Sequence, residues 1–431
     1  MLTTYTIEGF ENIQYQGFQA LSQIEHNLTN LYTGYGYHQV AIPTFETYDS
    51  FIGNDAISAN ELFKFISRKG RVLALKPDAT LSVARMAAIN HHDPNEINKL
   101  YYQTNIYRHF SSPVDVRKEI TQMGVEFFGD NSPECDGEVI SLAIQSLKAN
   151  GVDDVQIDLG HVGFINCLLD ELTISKTDRA ELFELIENKN IGDIQEFLSS
   201  RHYDPKISDI ILELPMLYGD PTDVFARMTK LCINQKMQDV VKNLSALFEH
   251  LRSVGLDQYV TFDLGFTSSM NYYTDLIFKV YAGNWGAPII DGGRYNKLSQ
   301  QFGIDRPACG FAVNLLSLMD YLEEHDLIHV ESPTHIVLLY RGSEKKGVFD
   351  IANRLRAQGC MTEVFVINSL PTAMIERLQV QRLYQDADFY VFERDGVFKW
   401  EASSLNPVTA IESVAVASES EIGEHHVFTE K

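Results

Sequence analysis

Two extended runs, Leu100 to Tyr107 and Gln122 to Phe128, flank a polar segment, Arg108 to Thr121, that contains Pro113 and Asp115. A strand leaves its N–H and C=O groups to be satisfied by a neighbour, so two such runs joined by a long loop predict an antiparallel pair at the heart of a sheet. That pair places the chain among folds that contain an antiparallel sheet.

The rest of the chain supplies both helices and strands. Phe18, Leu21, Ile24, Leu28 and Leu31 recur at three and four residues and predict a helix ending near Gly34. A strand is expected within Gly36 to Glu46, with Pro43 suiting an edge or an end. Two short extended pieces between Phe63 and Leu75 flank a hairpin turn at Arg68-Lys69-Gly70-Arg71. Thr80 to Ala88 reads as a helix with Asp78 near its N-terminus, Glu134 to Leu147 as an amphipathic helix, and Val155 to Leu159 as a strand. Residues 163–255 lose strand character and predict a helical insertion. Tyr259 to Leu264, Asp275 to Tyr281 and Ala287 to Ile290 are then expected strands, Asp291-Gly292-Gly293-Arg294-Tyr295 the start of a turn, and Cys309 to Leu322 a closing helix. Beyond Ser332-Pro333, short strands (335–340, 362–367, 387–392) and a helix (346–358) predict a small α/β domain over 333–431, with the last fifteen residues fraying.

Charge narrows the partners. Lys plus Arg number 35 against 59 Asp plus Glu, a net charge of −24 that repels a polyanion, so bulk nucleic-acid binding is disfavoured. Cys135, Cys167, Cys232, Cys309 and Cys360 form no Cys-x-x-Cys pair and no metal-ligand spacing, which suits reduced thiols and predicts neither a metal nor a cofactor. Without a signal segment or a run of about 18 apolar residues, a cytoplasmic protein that does not cross a membrane is expected.

The hairpin of 101–129 concentrates Arg108, Arg117, Lys118, Gln122 and Glu126, groups able to hold a small zwitterion or a phosphate. Gln122 and Glu126, four apart on an extended segment, share a side with Gly124. Taken alone, these charges also read as a solvated surface hairpin, Asp78 and Thr80 as a helix cap, and Tyr272 and Tyr273 as strand packing.

Their order along the chain carries more. Gly36-Tyr37 to Pro43 and Glu46, Leu75 to Thr80, Tyr107-Arg108 to Gln122-Met123-Gly124-Val125-Glu126, Tyr272-Tyr273-Thr274, Gly292 to Tyr295 and Pro307 to Ala312 together resemble the histidyl-tRNA synthetase catalytic domain over residues 5–325. The resemblance implies an α+β fold, the class II synthetase antiparallel sheet flanked by helices, in a core spanning 1–325 with its helical insertion. It also implies a homodimer built on the first motif, and a histidine pocket. In that pocket, which would include Tyr272, Asp78, Thr80 and Gln122 would face the ammonium, Arg108 the carboxylate, and Glu126 with Tyr273 the imidazole.

Departures from the family bear on activity. Val116 stands at the second arginine of motif 2, Ser268 at the catalytic arginine and Ser317 at the motif 3 arginine. Guanidinium groups hold the phosphates of ATP bidentately. At roughly 1.5–3 kcal/mol for each charged contact, three losses remove on the order of 5–9 kcal/mol, enough to slow adenylation by roughly three to six orders of magnitude. The segment Phe63 to Thr80 followed by Ala84-Arg85, with Asp78 after the proline, is similar to the regulatory subunits of ATP phosphoribosyltransferase. That similarity implies a non-catalytic partner of a short-form catalytic subunit, within a hetero-oligomer that performs the first step of histidine biosynthesis under feedback by histidine. With Ser268 in place of an arginine, histidine is expected to bind weakly in the pocket or to be sensed at a subunit interface. Two alternatives stand beside this reading: a divergent histidyl-tRNA synthetase whose loop supplies Arg117 or Lys118, and a synthetase-like interaction protein. The C-terminal domain loosely resembles an anticodon-binding domain, without a basic stripe.

Overall fold

A computed structural model describes residues 7–52, 57–109, 117–172, 174–265, 272–328, 333–342, 345–394 and 396–408. The chain divides into two units, Met1–His329 and Val330–Lys431.

In the first unit the strands are β1 (His38–Val40), β2 (Phe45–Thr47), β3 (Lys64–Ile66), β4 (Val72–Leu75), β5 (Asn98–Tyr107), β6 (Glu119–Phe128), β7 (Val155–His161), β8 (Tyr218–Gly219), β9 (Val260–Asp263), β10 (Leu276–Ala282), β11 (Ile290–Arg294) and β12 (Ala308–Asn314). They form a nine-stranded sheet in the order β1-β5-β6-β12-β11-β10-β7-β9-β8 and a small sheet β2-β4-β3. β5 and β6 make the predicted antiparallel pair, in register from Asn98 opposite Phe128 to Tyr107 opposite Glu119. Helices α1 (Tyr15–Gly34), α2 (Asp49–Ile52), α3 (Thr80–Asn90) and α4 (Pro133–Lys148) precede the insertion, whose helices are α5 (Val162–Leu169), α6 (Lys176–Glu187), α7 (Ile191–Ser200), α8 (Pro205–Glu213), α9 (Pro221–Leu231) and α10 (Gln235–Ser253); α11 (Leu315–Glu324) ends the unit. α1, α4 and α11 pack on one face of the large sheet. α3 lays Leu81, Val83, Ala84 and Ala87 against Leu100, Tyr102 and Ile106 on the other.

Several expectations are corrected. The segment 36–46 holds two strands, because Pro43 has no N–H to donate and the chain changes sheet there: β1 pairs with β5, and β2 with β4. In α1, Phe18 is exposed, and Tyr32 rather than Leu31 closes the buried stripe. The Asp291–Tyr295 stretch is a strand, not a turn. Gly292 lies between the rings of Phe278 and Phe311, where a Cβ would strike both, and Gly293 has φ +159° with Tyr273 over it. Close packing explains these glycines. Residues 308–314 form the strand between β6 and β11, and the helix starts only after Asn314, which caps α11 by accepting from the Ser317 amide at 3.2 Å. The insertion contributes one short strand, β8, to the sheet.

The second unit has β13 (His335–Tyr340), α12 (Lys345–Ala357), β14 (Met361–Val366), α13 (Pro371–Gln379), β15 (Asp388–Glu393), β16 (Gly396–Glu401) and β17 (Ser404–Val408), in sheet order β14-β13-β15-β16-β17. Alternate residues of β13 serve two cores: Ile336 and Leu338 under Val348 and Leu355 of α12, Val337 and Leu339 under Ile375 and Leu378 of α13. The sequence reading missed α13 and the last two strands. The expected frayed tail lies outside the described residues. Among those described, no helix is long and apolar enough to cross a membrane.

Candidate functional site

Register builds the site. Lys279 of β10 stands opposite Asp291 of β11, Asp291 opposite Ala312 of β12, Ala312 opposite Gly124 of β6, and Gly124 opposite Tyr102 of β5. With a period of two, Gln122, Gly124 and Glu126 share this face with Gly310, Ala312 and Asn314. The glycines at its centre admit the Tyr102 hydroxyl over Gly124 and the Glu126 carboxylate over Gly310, so these side chains lie flat on the sheet and leave room above it. A cavity of about 270 Å³ fills that room, walled by Asp78 and Thr80 at the start of α3, Arg108 just beyond β5, Tyr272 and Tyr273 before β10, and Tyr295 after β11.

Asp78 organises one end. Its Oδ1 accepts from the Leu81 amide at 2.8 Å and so stabilises the start of α3, while Oδ2 accepts from Arg108 Nη2 at 3.4 Å and Tyr272 Oη at 3.3 Å. Arg108 Nε donates to the Pro77 carbonyl. Burial raises the Asp78 pKa, opposed by Arg108 and by the hydrogen bonds it accepts. Asp291 is exposed where it lines the cavity, and desolvation there raises its pKa too, against the charges of Lys279 and Arg108. Three cavity carboxylates, Asp78, Asp291 and Glu187, thus face two lining cations, Arg108 and Lys279, an excess of negative charge that suits an ammonium group.

Of the residues singled out from the sequence, Asp78, Thr80, Arg108, Gln122, Tyr272 and Tyr273 line the cavity. Glu126 does not. Its carboxylate lies across Gly310 on this same face, where a Cβ would collide with it, and accepts from the Tyr295 hydroxyl. Tyr295 therefore stands between Glu126 and any ligand. Tyr295 and Asp291 fall in the quoted Gly-Gly motif and Asn314 in the segment after it, so their positions were marked although their roles were not; Lys279 carried no signal. Val116 and Ser268 lie outside the described residues.

The cations proposed for a working synthetase are elsewhere. Arg117, two residues before β6, lies on the side away from the cavity, with Nη2 2.7 Å from Asp320 and Nε 3.6 Å from Glu11, and Lys118 is 3.9 Å from Glu8. Arg294 is also turned away, to Asp136 at 2.7 Å. Among the described residues, no group of three His, Cys, Asp or Glu side chains is placed to hold a metal ion.

Burial pushes Glu126 up to about 8, against the hydrogen bond from Tyr295. A raised carboxyl makes the folded state bind the extra proton between its unfolded value and about 8, so stability declines as pH rises through that window. The parent is expected to lose up to about 1.4 kcal/mol per pH unit from this group. Glu126→Gln should flatten that slope, as urea unfolding at several pH values between 5 and 8 would reveal; identical slopes would contradict it.

Residues 9–318 match the family model described as histidyl-tRNA synthetase. An ATP phosphoribosyltransferase regulatory subunit of Acetivibrio thermocellus is 34% identical over 361 residues, 84% of this chain and 86% of that protein. One from Alkaliphilus metalliredigens is 34% identical over 362 residues, 84% and 91% of the respective chains. A solved ATP phosphoribosyltransferase regulatory subunit/histidyl-tRNA synthetase from Bacillus halodurans is similar with a TM-score of 0.79 at 26% identity, covering 91% of this chain and 100% of that one. Histidyl-tRNA synthetase from Nostoc sp. PCC 7120, at 17% identity and TM-score 0.77 over 98% of this chain and 100% of its own, shares the fold. The fold is accordingly that of the class II synthetase catalytic domain. The chain belongs to the histidyl-tRNA synthetase family, and within it to the ATP phosphoribosyltransferase regulatory subunits.

Proposed function

We infer that the chain is the non-catalytic subunit of an ATP phosphoribosyltransferase, working beside a short-form catalytic subunit that joins ATP to phosphoribosyl pyrophosphate in the first step of histidine biosynthesis. The observation that carries this reading is the charge of the cavity. Its amino-acid end keeps Asp78, Thr80, Arg108 and Gln122, while Arg117 and Arg294 point away from it and the lining bears more acids than bases. A triphosphate needs the opposite balance.

Histidine is the effector we assign to this cavity. Its ammonium meets Asp78, Thr80 and Gln122, its carboxylate Arg108, and its imidazole the hydroxyls of Tyr273 and Tyr295, the latter oriented by Glu126. A homodimeric core within a hetero-oligomer is supported by the small sheet, where Phe45 and Phe65 are exposed on one face with their rings meeting edge to face at 5.5 Å, and Ile66 and Val72 are exposed at the end of the β3–β4 hairpin. Cytoplasmic placement accords with the free cysteines. Histidine-dependent exchange of pyrophosphate into ATP tests the non-catalytic assignment. The chain alone should give no exchange above background, and exchange at synthetase rates would restore the enzyme reading.

A further inference from the structure

The β5–β6 hairpin has a second concave surface on its other face. Ile106, Ile120 and Gln122 line the amino-acid cavity, whereas their neighbours Asn105, Glu119 and Thr121 line a groove behind it. The groove measures about 480 Å³ and is larger than the cavity it backs. α11 supplies Leu316, Met319 and Asp320 to one wall. The N-terminal segment and the start of α1 form the other, pinned over β6 because the Gly9 carbonyl accepts from the Lys118 amide at 2.8 Å.

Apolar and acidic groups share this lining. Phe18 is 59% exposed, with Tyr15 and Ile13 also exposed beside it. Glu11, Glu119 and Asp320 set three negative charges in the lining against the single guanidinium of Arg117. A row of exposed apolar residues bordered by charge marks a protein contact rather than the scatter normal on a surface.

We propose that this groove receives the catalytic subunit, through a segment that carries an apolar side chain beside lysine or arginine. The proposal rests on the regulatory reading above. Charge selects the occupant: the surplus of Glu11, Glu119 and Asp320 over Arg117 in the lining is complemented by a basic segment. The small sheet, with its own exposed aromatic pair, offers a second copy a different surface. Because the same two strands wall the groove and the cavity, a partner docked on one face and an amino acid bound on the other touch a shared element.

Calorimetric titration of the full chain with the short-form catalytic subunit tests the proposal, using Phe18→Asp and Glu11→Lys beside the parent. The Glu11 side chain is 63% exposed, so both changes fall on the surface and histidine binding by the chain alone should persist. Each variant should weaken the complex about tenfold or more, and the parent complex should weaken as salt rises. Unchanged affinity in both variants overturns the docking site and leaves the regulatory reading standing. No complex with the parent overturns both. Sedimentation of each chain alone supplies the last control: self-association of the parent that Phe18→Asp abolishes would put a second copy in the groove and overturn the proposal.

Discussion

An Asp78→Asn variant should bind histidine about 10- to 100-fold more weakly than the parent, as read by calorimetry on the chain alone. The aspartate is buried beside Thr80 and Gln122, so its charge reaches a bound ammonium through little water, where a charged hydrogen bond contributes about 1.5–3 kcal/mol. Asparagine keeps the side-chain oxygen that accepts from the Leu81 amide, so the start of α3 is retained and the loss reports on charge. An affinity within twofold of the parent would mean that histidine is read somewhere other than this cavity.

The largest effect on stability is expected at Arg294. It is 3% exposed, with Nη2 2.7 Å from Asp136 Oδ1, and it donates from Nε to the same Oδ1 at 2.8 Å and from Nη1 to the Asp130 carbonyl at 2.9 Å and the amide oxygens of Asn131 and Asn296 at 3.2 and 3.1 Å. These bonds tie the end of β11 to the first turn of α4. Burial already raises the Asp136 pKa, with Arg294 the main group holding it down. Arg294→Met leaves that carboxylate buried without its cation, a change that costs about 3–5 kcal/mol. Replacing both partners removes the stranded charge, so adding Asp136→Leu should recover part of the loss. Denaturant unfolding of the two single variants and the double variant measures this. A single-variant loss below about 1 kcal/mol would show that solvent reaches Asp136 freely.

Those two positions differ in how plainly the sequence marked them. Asp78 stands at a helix start within a short motif, so both its capping role and its place in the cavity were open to local reading. Arg294 was visible only as part of a Gly-Gly motif, and its partners Asp130, Asn131 and Asp136 lie more than 150 residues earlier. Strand pairing and helix stripes were legible in the same way: β5, β6, α1 and α4 follow from periodicity within one segment. β11 and β12 were misread because their glycines answer to neighbours across the sheet. Gly292 is fixed by Phe278 and Phe311, and Gly310 by Glu126, and no local pattern encodes such contacts. The burial of Glu126 behind Tyr295 has the same origin, since the residue spacing along β6 gives the face of the strand but not what covers it.

The central claim is that this chain governs a reaction carried out by another. Phosphoribosyl-ATP formation by the short-form catalytic subunit, measured with and without this chain and titrated with histidine, tests it most directly. The account predicts that activity appears, or becomes sensitive to histidine, only when the two are mixed. Catalytic-subunit activity and histidine response that are the same with and without this chain would contradict it.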